Sequence, residues 1–258
     1  MASIYFSGQG IVYVADRATD GTISTFVDVG NCPNLVLTLE TEVSTHKESR
    51  TGQRLEDFRL TTSKSGTISM TLEEIKKSNL EFMLYGTGQD ASVTAVTNES
   101  IGVTGLTAGD IITTSKYPFV SAGFAVKDSA LIPATLVLNT DYEILDRKAG
   151  LVKLLNVSGF TQPFKFDYTP EAADIVTMFT QPAKERLVRF SGLNTANSDD
   201  PVIVDLYRVI FDPAANVAMI NDELAQFELE GSVLFDSTRE PTASLGGYGR
   251  IINAELDF

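Results

Sequence analysis

Residues 35–72 read LVLTLETEVSTHKESRTGQRLEDFRLTTSKSGTISMTL. Both ends alternate. Leu35, Leu37 and Leu39 are apolar with Val36 and Thr38 between them, and Ile68, Met70 and Leu72 are apolar with Thr67, Ser69 and Thr71 between them. A period of two marks a half-buried sheet, so two strands are expected. Residues 40–64 join them in a connection of 25 mostly polar residues. Hairpin loops usually have about two to five residues, and a structureless loop this long is functional or disordered. Its acids are Glu40, Glu42, Glu48, Glu56 and Asp57; its bases are Lys47, Arg50, Arg54, Arg59 and Lys64. These cancel, in a chain whose net charge is −14. A neutral, Arg-rich arm on an acidic body suits docking on an acidic neighbour. A solvated hairpin tip fits the same residues.

The 258 residues fit one large or two small domains. Abundant Thr, Ser, Val and Gly with few helix-period stretches indicate a mainly β chain. There is no run of 18 apolar residues, so no membrane anchor is expected. The start, MASIYFSGQGIVYV, lacks the basic region of a secretory leader. One cysteine, Cys32, excludes an internal disulfide framework, and assembly in a reducing cytoplasm is expected. The acidity opposes adhesion to nucleic-acid phosphates, yet suits a surface past which DNA slides.

Residues 1–39 read as strands: Ile4 to Phe6 and Ile11 to Val14 around a turn at Ser7, Gly8, Gln9 and Gly10, then Phe26 to Val29. A turn at Asp20 and Gly21 lies between, and Cys32 is expected as a small buried filler. After the arm, Thr71 and Glu74 fit a capping box. Leu72, Ile75, Leu80, Met83 and Leu84 form the apolar side of a helix that Gly86 stops. Residues 97–170 hold four prolines and hairpin-like segments. One joins Tyr142–Leu145 to Leu151–Leu155 through a loop ending in Gly150, and Phe164 to Tyr168 follows as a strand. This stretch has 7 acids and 6 bases and reads as a separate β module. From 171 onward 15 acids face 6 bases. There Leu187 to Gly192, the long Val202 to Phe211, and Arg250 to Ala254 read as strands. Phe227, Leu229, Val233 and Phe235 alternate with Glu228, Glu230 and Asp236 around Gly231. The flanks 1–96 and 171–258 lie on either side of this module.

Catalytic and cofactor signatures are absent. With one histidine, His46, and one cysteine, a His- or Cys-rich metal site cannot be built in one chain. A triad would have to use His46 on a polar arm, where preorganisation is poor. No phosphate loop and no GxGxxG opening a helix occurs, so no cofactor is expected. Glu228 and Glu230 share a strand face and could make a glycosidase-like pair, but a solvated or lumen-facing acidic face accounts for them more simply.

HKESRTGQRLEDFRLTTSKSGTISMTLEE, followed by NLEFMLYGT, resembles the first half of the tail tube (major tail) proteins of long, flexible-tailed phages. FSGLNTAN, VDLYRVIFDP and FELEGSVLFD are similar to that family's closing strands. The resemblance covers roughly 1–90 and 171–258 and omits 97–170, so it implies one discontinuous domain, 1–96 with 171–258, and an inserted 97–170 that looks like an extra outward domain. It implies a β-sandwich with one flanking helix, hexameric rings whose inner sheets join around a lumen, and an arm reaching the adjacent ring. It further implies a non-enzymatic virion protein, assembled in the host cytoplasm. Its partners would be other copies of itself, a tape-measure protein, and tail terminator or distal tail proteins, with DNA passing unbound. The arm residues implied in the inter-ring contact are His46, Lys47, Glu48, Arg50, Arg54, Glu56, Asp57 and Arg59. Glu228, Glu230 and Asp236 are the candidate lumen acids, Asp236 on condition that Gly231 is not a bulge. A surface β-module binding glycans or proteins is the competing reading, and an acidic hydrolase a third.

Overall fold

The computed structural model describes residues 5–239 and 245–253. Ile4 and Ala254, placed in strands from the sequence, lie outside the described residues. In chain order the elements are β1 (Gly8–Asp16), β2 (Val27–Asp28), β3 (Asn34–Lys47), β4 (Glu56–Leu72), α1 (Lys77–Met83), β5 (Gly88–Asp90), β6 (Val96–Ser100), β7 (Ile111–Thr113) and β8 (Phe119–Lys127). They continue with β9 (Tyr142–Asp146), β10 (Leu151–Leu154), β11 (Lys165–Pro170), β12 (Asp174–Val176), β13 (Glu185–Asn194), β14 (Asp200–Phe211), β15 (Phe227–Val233) and β16 (Gly249–Asn253). The fold is mainly β, as the sequence indicates, and α1 is the only helix among the described residues.

Two compact units divide the chain. One is Met1–Gly88 with Val176–Phe258, and the other is Gln89–Ile175. The second is wider than the 97–170 read from composition, because the chain is already paired before the texture changes: the Ala91 amide donates to the Ala173 carbonyl at 2.7 Å.

The first unit is an eight-stranded antiparallel sheet in the order β2-β1-β13-β14-β15-β4-β3, with β16 also on β14. β14 forks: Val202 to Leu206 pair with β16, while Val209 to Phe211 pair with β15. The sheet thereby folds over one core. Val12 and Val14 from one end meet Ile68, Met70 and Leu72 from the other, with Phe211, Phe227 and Leu229 between. Each large apolar side chain buried this way contributes about 1.5–3 kcal/mol. Residues 7–10 are not a turn. β1 starts at Gly8, just after Ser7, and Gly8, Gln9 and Gly10 pair with Asn194, Leu193 and Gly192. Gly10 is glycine for packing: a Cβ there would lie 2.3 Å from the Ser191 carbonyl oxygen. Cys32 is half-buried against the core, and burial pushes its thiol pKa up.

The helix is shorter than the capping box and apolar spacing suggest. Thr71 and Leu72 belong to β4, and Leu72 is fully buried there. Glu74 accepts from the Asn31 amide at 3.0 Å and caps no helix, while Ile75 is exposed. The sheet thus takes over residues that a helix pattern also fits, because their apolar side chains reach the core from the strand. α1 instead starts after Lys76 and inserts Phe82 and Met83 into the core. Its end is a Schellman-type turn, with the Gly86 amide donating to the Glu81 carbonyl at 3.0 Å. Tyr85, not Gly86, takes the left-handed position, at φ 48°.

The second unit holds two three-stranded antiparallel sheets, β7-β10-β9 and β6-β11-β8. The turn from β9 to β10 carries Gly150 at φ 73°, the left-handed position the hairpin reading requires. The core is aromatic. Phe119 stacks on Phe124 at 4.5 Å, and Phe166, Tyr142 and Tyr168 surround them. Buried Asp128 accepts from the amides of Ala134 at 2.7 Å and Thr161 at 3.1 Å. Burial opposes ionisation of this carboxyl, but these backbone donors outweigh it and hold its pKa below the usual range.

Candidate assembly surface

The connection between β3 and β4 is not a 25-residue loop. The two strands stay paired from Asn34↔Thr71 out to Lys47↔Glu56, with bulges after Glu42 and His46. Only residues 48–55 form the tip. Thr41, Val43, Thr45, Thr61 and Thr62 favour a strand, but both faces are exposed here, so no apolar alternation signals it.

At the root, Leu35 and Leu37 alternate toward the core, opposite Met70 and Ile68, while Leu39, opposite Gly66 on the same side, is 72% exposed. The other side of the same strands continues across β15. Glu230 lies beside Ser69, which faces Val36, and Ser232 lies beside Thr67, which faces Thr38. Farther out Glu40 faces Ser65 and Glu42 faces Ser63, whose hydroxyl donates to the Glu42 carboxylate at 2.9 Å. The result is one face of hydroxyls and carboxylates carrying Glu228, Glu230, Glu40 and Glu42. Glu40 and Glu42 belong to it by register, which the sequence reading did not extend past the root. The cations within the ladder alternate to the opposite side: Lys64 faces Thr41, and Arg59 faces Thr45.

The tip is ordered by Glu48. Its carboxylate accepts from the amides of Arg50 at 2.6 Å and Thr51 at 2.9 Å, and from the Thr51 hydroxyl. That hydroxyl first, then the amides, hold its pKa below the usual carboxylate range. Glu48 is therefore committed to shaping the turn. His46 Nδ1 lies 2.6 Å from Asp57 Oδ1, both exposed. Among the described residues, Lys47, Arg50, Arg54, Arg59 and Lys64 form no ion pair within the chain. Leu55, Phe58 and Leu60 are each more than half exposed on the same arm.

Asp236 is not on the acidic face. Gly231 is not a bulge, since β15 keeps register with β4 from Phe227↔Leu72 to Val233↔Gly66. The strand ends there, however, and the chain turns inward. Asp236 is buried and accepts two hydrogen bonds from Arg17, at 2.6 and 3.2 Å. Burial raises its pKa, but the Thr238 hydroxyl and Arg17 outweigh that and set it below the usual range. Arg17 also bonds Glu185, which pairs with Arg208. This buried ionic cluster has no counterpart in a local sequence pattern, because its members lie 168 and 219 residues apart. Among the described residues no three His, Cys, Asp or Glu side chains converge as metal ligands would.

These features define a mainly-β chain with a long projecting hairpin and a segregated acidic face. Over residues 5–252 it matches a family described as "Protein of unknown function UCP028589", and it belongs to that family. No curated protein matches it significantly.

Proposed function

We propose that the protein is a structural subunit of a phage tail tube, forming stacked, hexameric rings around an acidic lumen through which DNA is ejected. The observation that carries this reading is the arm. Every residue from 40 to 47 and from 56 to 65 is exposed. A two-stranded hairpin with no core beneath it is marginal in water. An arm of this length, with unpaired cations and exposed Leu55, Phe58 and Leu60, therefore calls for a surface on another molecule. The resemblance of the flanking segments to tail tube proteins supports a neighbouring copy as that molecule. The acidic face at the arm's root supports a lumen, because like charge keeps DNA from adhering. In this reading the protein acts in the virion, with a tape-measure protein and tail terminator or distal tail proteins as further partners. It performs no catalysis.

Electron microscopy of the purified protein at high concentration tests it. Stacked rings are expected, and particles that stay monomeric overturn it. A surface module binding glycans or proteins is the second reading. It draws on Leu131 and Ile132, almost fully exposed in the second unit, and expects that monomer.

A further inference from the structure

The first unit has a groove of about 620 Å³ between β1, β3, β14 and β16. Leu35, Leu37, Phe190, Val204 and Ile251 are among its walls. None of the residues lining it is charged, in a chain of which 21% is Asp, Glu, Lys or Arg. Its size falls within the range of natural binding clefts, and its lining is mostly apolar with the amides of Gln9, Asn34, Asn194 and Asn253 among it, which suits an apolar guest.

The arm carries such a guest. Leu60 faces Ser44 and Phe58 faces His46, so both side chains point to one side of the ribbon. They are 52% and 59% exposed. Arg59, between them, alternates to the opposite side. An arm seated through Phe58 and Leu60 therefore leaves its cation out of the apolar groove. By register this side continues that of Glu40 and Glu42 farther out along β3, at Ser44 and His46.

The arm cannot fill the groove of its own chain. Leu37 lines the groove, and His46, opposite Phe58, is nine residues farther along the same continuous strand. At about 3.3 Å per residue the anchors sit roughly 30 Å beyond it. We propose that Phe58 and Leu60 of one copy insert into the apolar groove of a second copy, with Ile251 on its wall. One arm and one groove per chain make this a head-to-tail contact that propagates instead of closing on a pair. This inference rests on the tail-tube reading and names the partner surface within it.

The test uses the full chain and variants at exposed positions, where folding tolerates change. F58S/L60S removes the anchors, and I251D places a charge in the groove wall. Each is expected to raise the concentration needed for stacking by at least about tenfold, or 1.4 kcal/mol. Mixed together, the two variants still share one intact arm and one intact groove. They are expected to stop at a single junction, seen by light scattering as one pair of protomers or of rings. In a C32S background, L60C with I251C is expected to cross-link between chains upon oxidation. If the wild type stacks and both variants stack equally well, the groove assignment is overturned while the tube reading stands. If deleting residues 254–258 or the Met219–Ile220 pair abolishes stacking and the arm variants do not, another segment fills the groove and the assignment is equally overturned. If the wild type never leaves the monomer, the tube reading falls and this inference with it.

Discussion

Arg17 and Asp236 lie 219 residues apart and are joined by two hydrogen bonds, Nε to Oδ2 at 3.2 Å and Nη2 to Oδ1 at 2.6 Å. Both side chains are almost fully buried, at 3% and 2% exposed. Removing one partner of such a pair leaves the other charged and desolvated, which costs about 3–5 kcal/mol. D236A is expected to destabilise the first unit by that order at pH 7, measured by urea unfolding. A loss below 1 kcal/mol would show that solvent or Glu185 takes over the pairing.

The same cluster sets an acid limit. Asp236 and Asp205 are both buried, which raises their pKa values, but hydrogen bonds from Thr238 and Arg17, and from Arg189 and Arg250, lower them by more. Glu185 is lowered chiefly by its hydrogen bond from Arg208. A carboxylate with a depressed folded-state pKa contributes stability that is present above its unfolded value, near 4, and lost as pH falls through the folded value. Stability should therefore be flat from neutral pH down to about 5 and fall steeply below 4. D236A and wild type should converge there, which acid titration followed by tryptophan-independent far-UV circular dichroism measures.

Gly86 is glycine for contact, not for left-handed geometry. A Cβ at this position would lie 1.9 Å from the Thr177 carbonyl oxygen. G86A must push the end of α1 away from residue 177, an overpacking that typically costs about 1–3 kcal/mol. A lowered melting temperature is expected. An unchanged one would mean that the 177 strand end yields freely.

The strands around a core were legible because one face is buried. In β15 the order Phe227, Glu228, Leu229, Glu230 states which side faces inward, and burial follows it residue for residue. The arm is illegible for the opposite reason: with both faces in solvent, pairing between Glu40 and Ser65 imposes no sustained apolar alternation, only the short Phe58, Arg59, Leu60 run. At Thr71–Leu72 a helix and a strand fit the same short apolar run, and only the packing of β4 decides between them. Asp236 looked like one more alternating acid, since nothing local reveals that the chain turns in after Val233 toward Arg17. Glu40 and Glu42 joined the acidic face only through register with Ser65 and Ser63.

Deleting residues 45–58 removes the tip and the distal ladder but no core residue. The variant is expected to stay soluble and folded with near-wild-type melting, because the removed segment buries almost nothing. Under the proposed function it fails to polymerise. Normal tubes from this variant in electron micrographs would falsify the role given to the arm.

The acidic face gives the last expectation. Glu228 and Glu230 project from β15 on the side opposite Phe227 and Leu229, and Glu40 and Glu42 extend that side along β3. All four are exposed, so replacing them leaves the core intact. Reversing Glu228 and Glu230 to Lys changes the charge per subunit by four and, in a six-membered ring, by about 24 around one circumference. If this face lines the lumen, DNA meets attraction where it met repulsion. Ejection should slow and become strongly salt-dependent, because counterion release now accompanies each contact. Tubes should still form. The E40K/E42K variant should act in the same direction if the row is continuous. Ejection followed by dye fluorescence at two salt concentrations separates the outcomes: slow, salt-sensitive release places the face on the lumen, and unchanged kinetics place it on the outside.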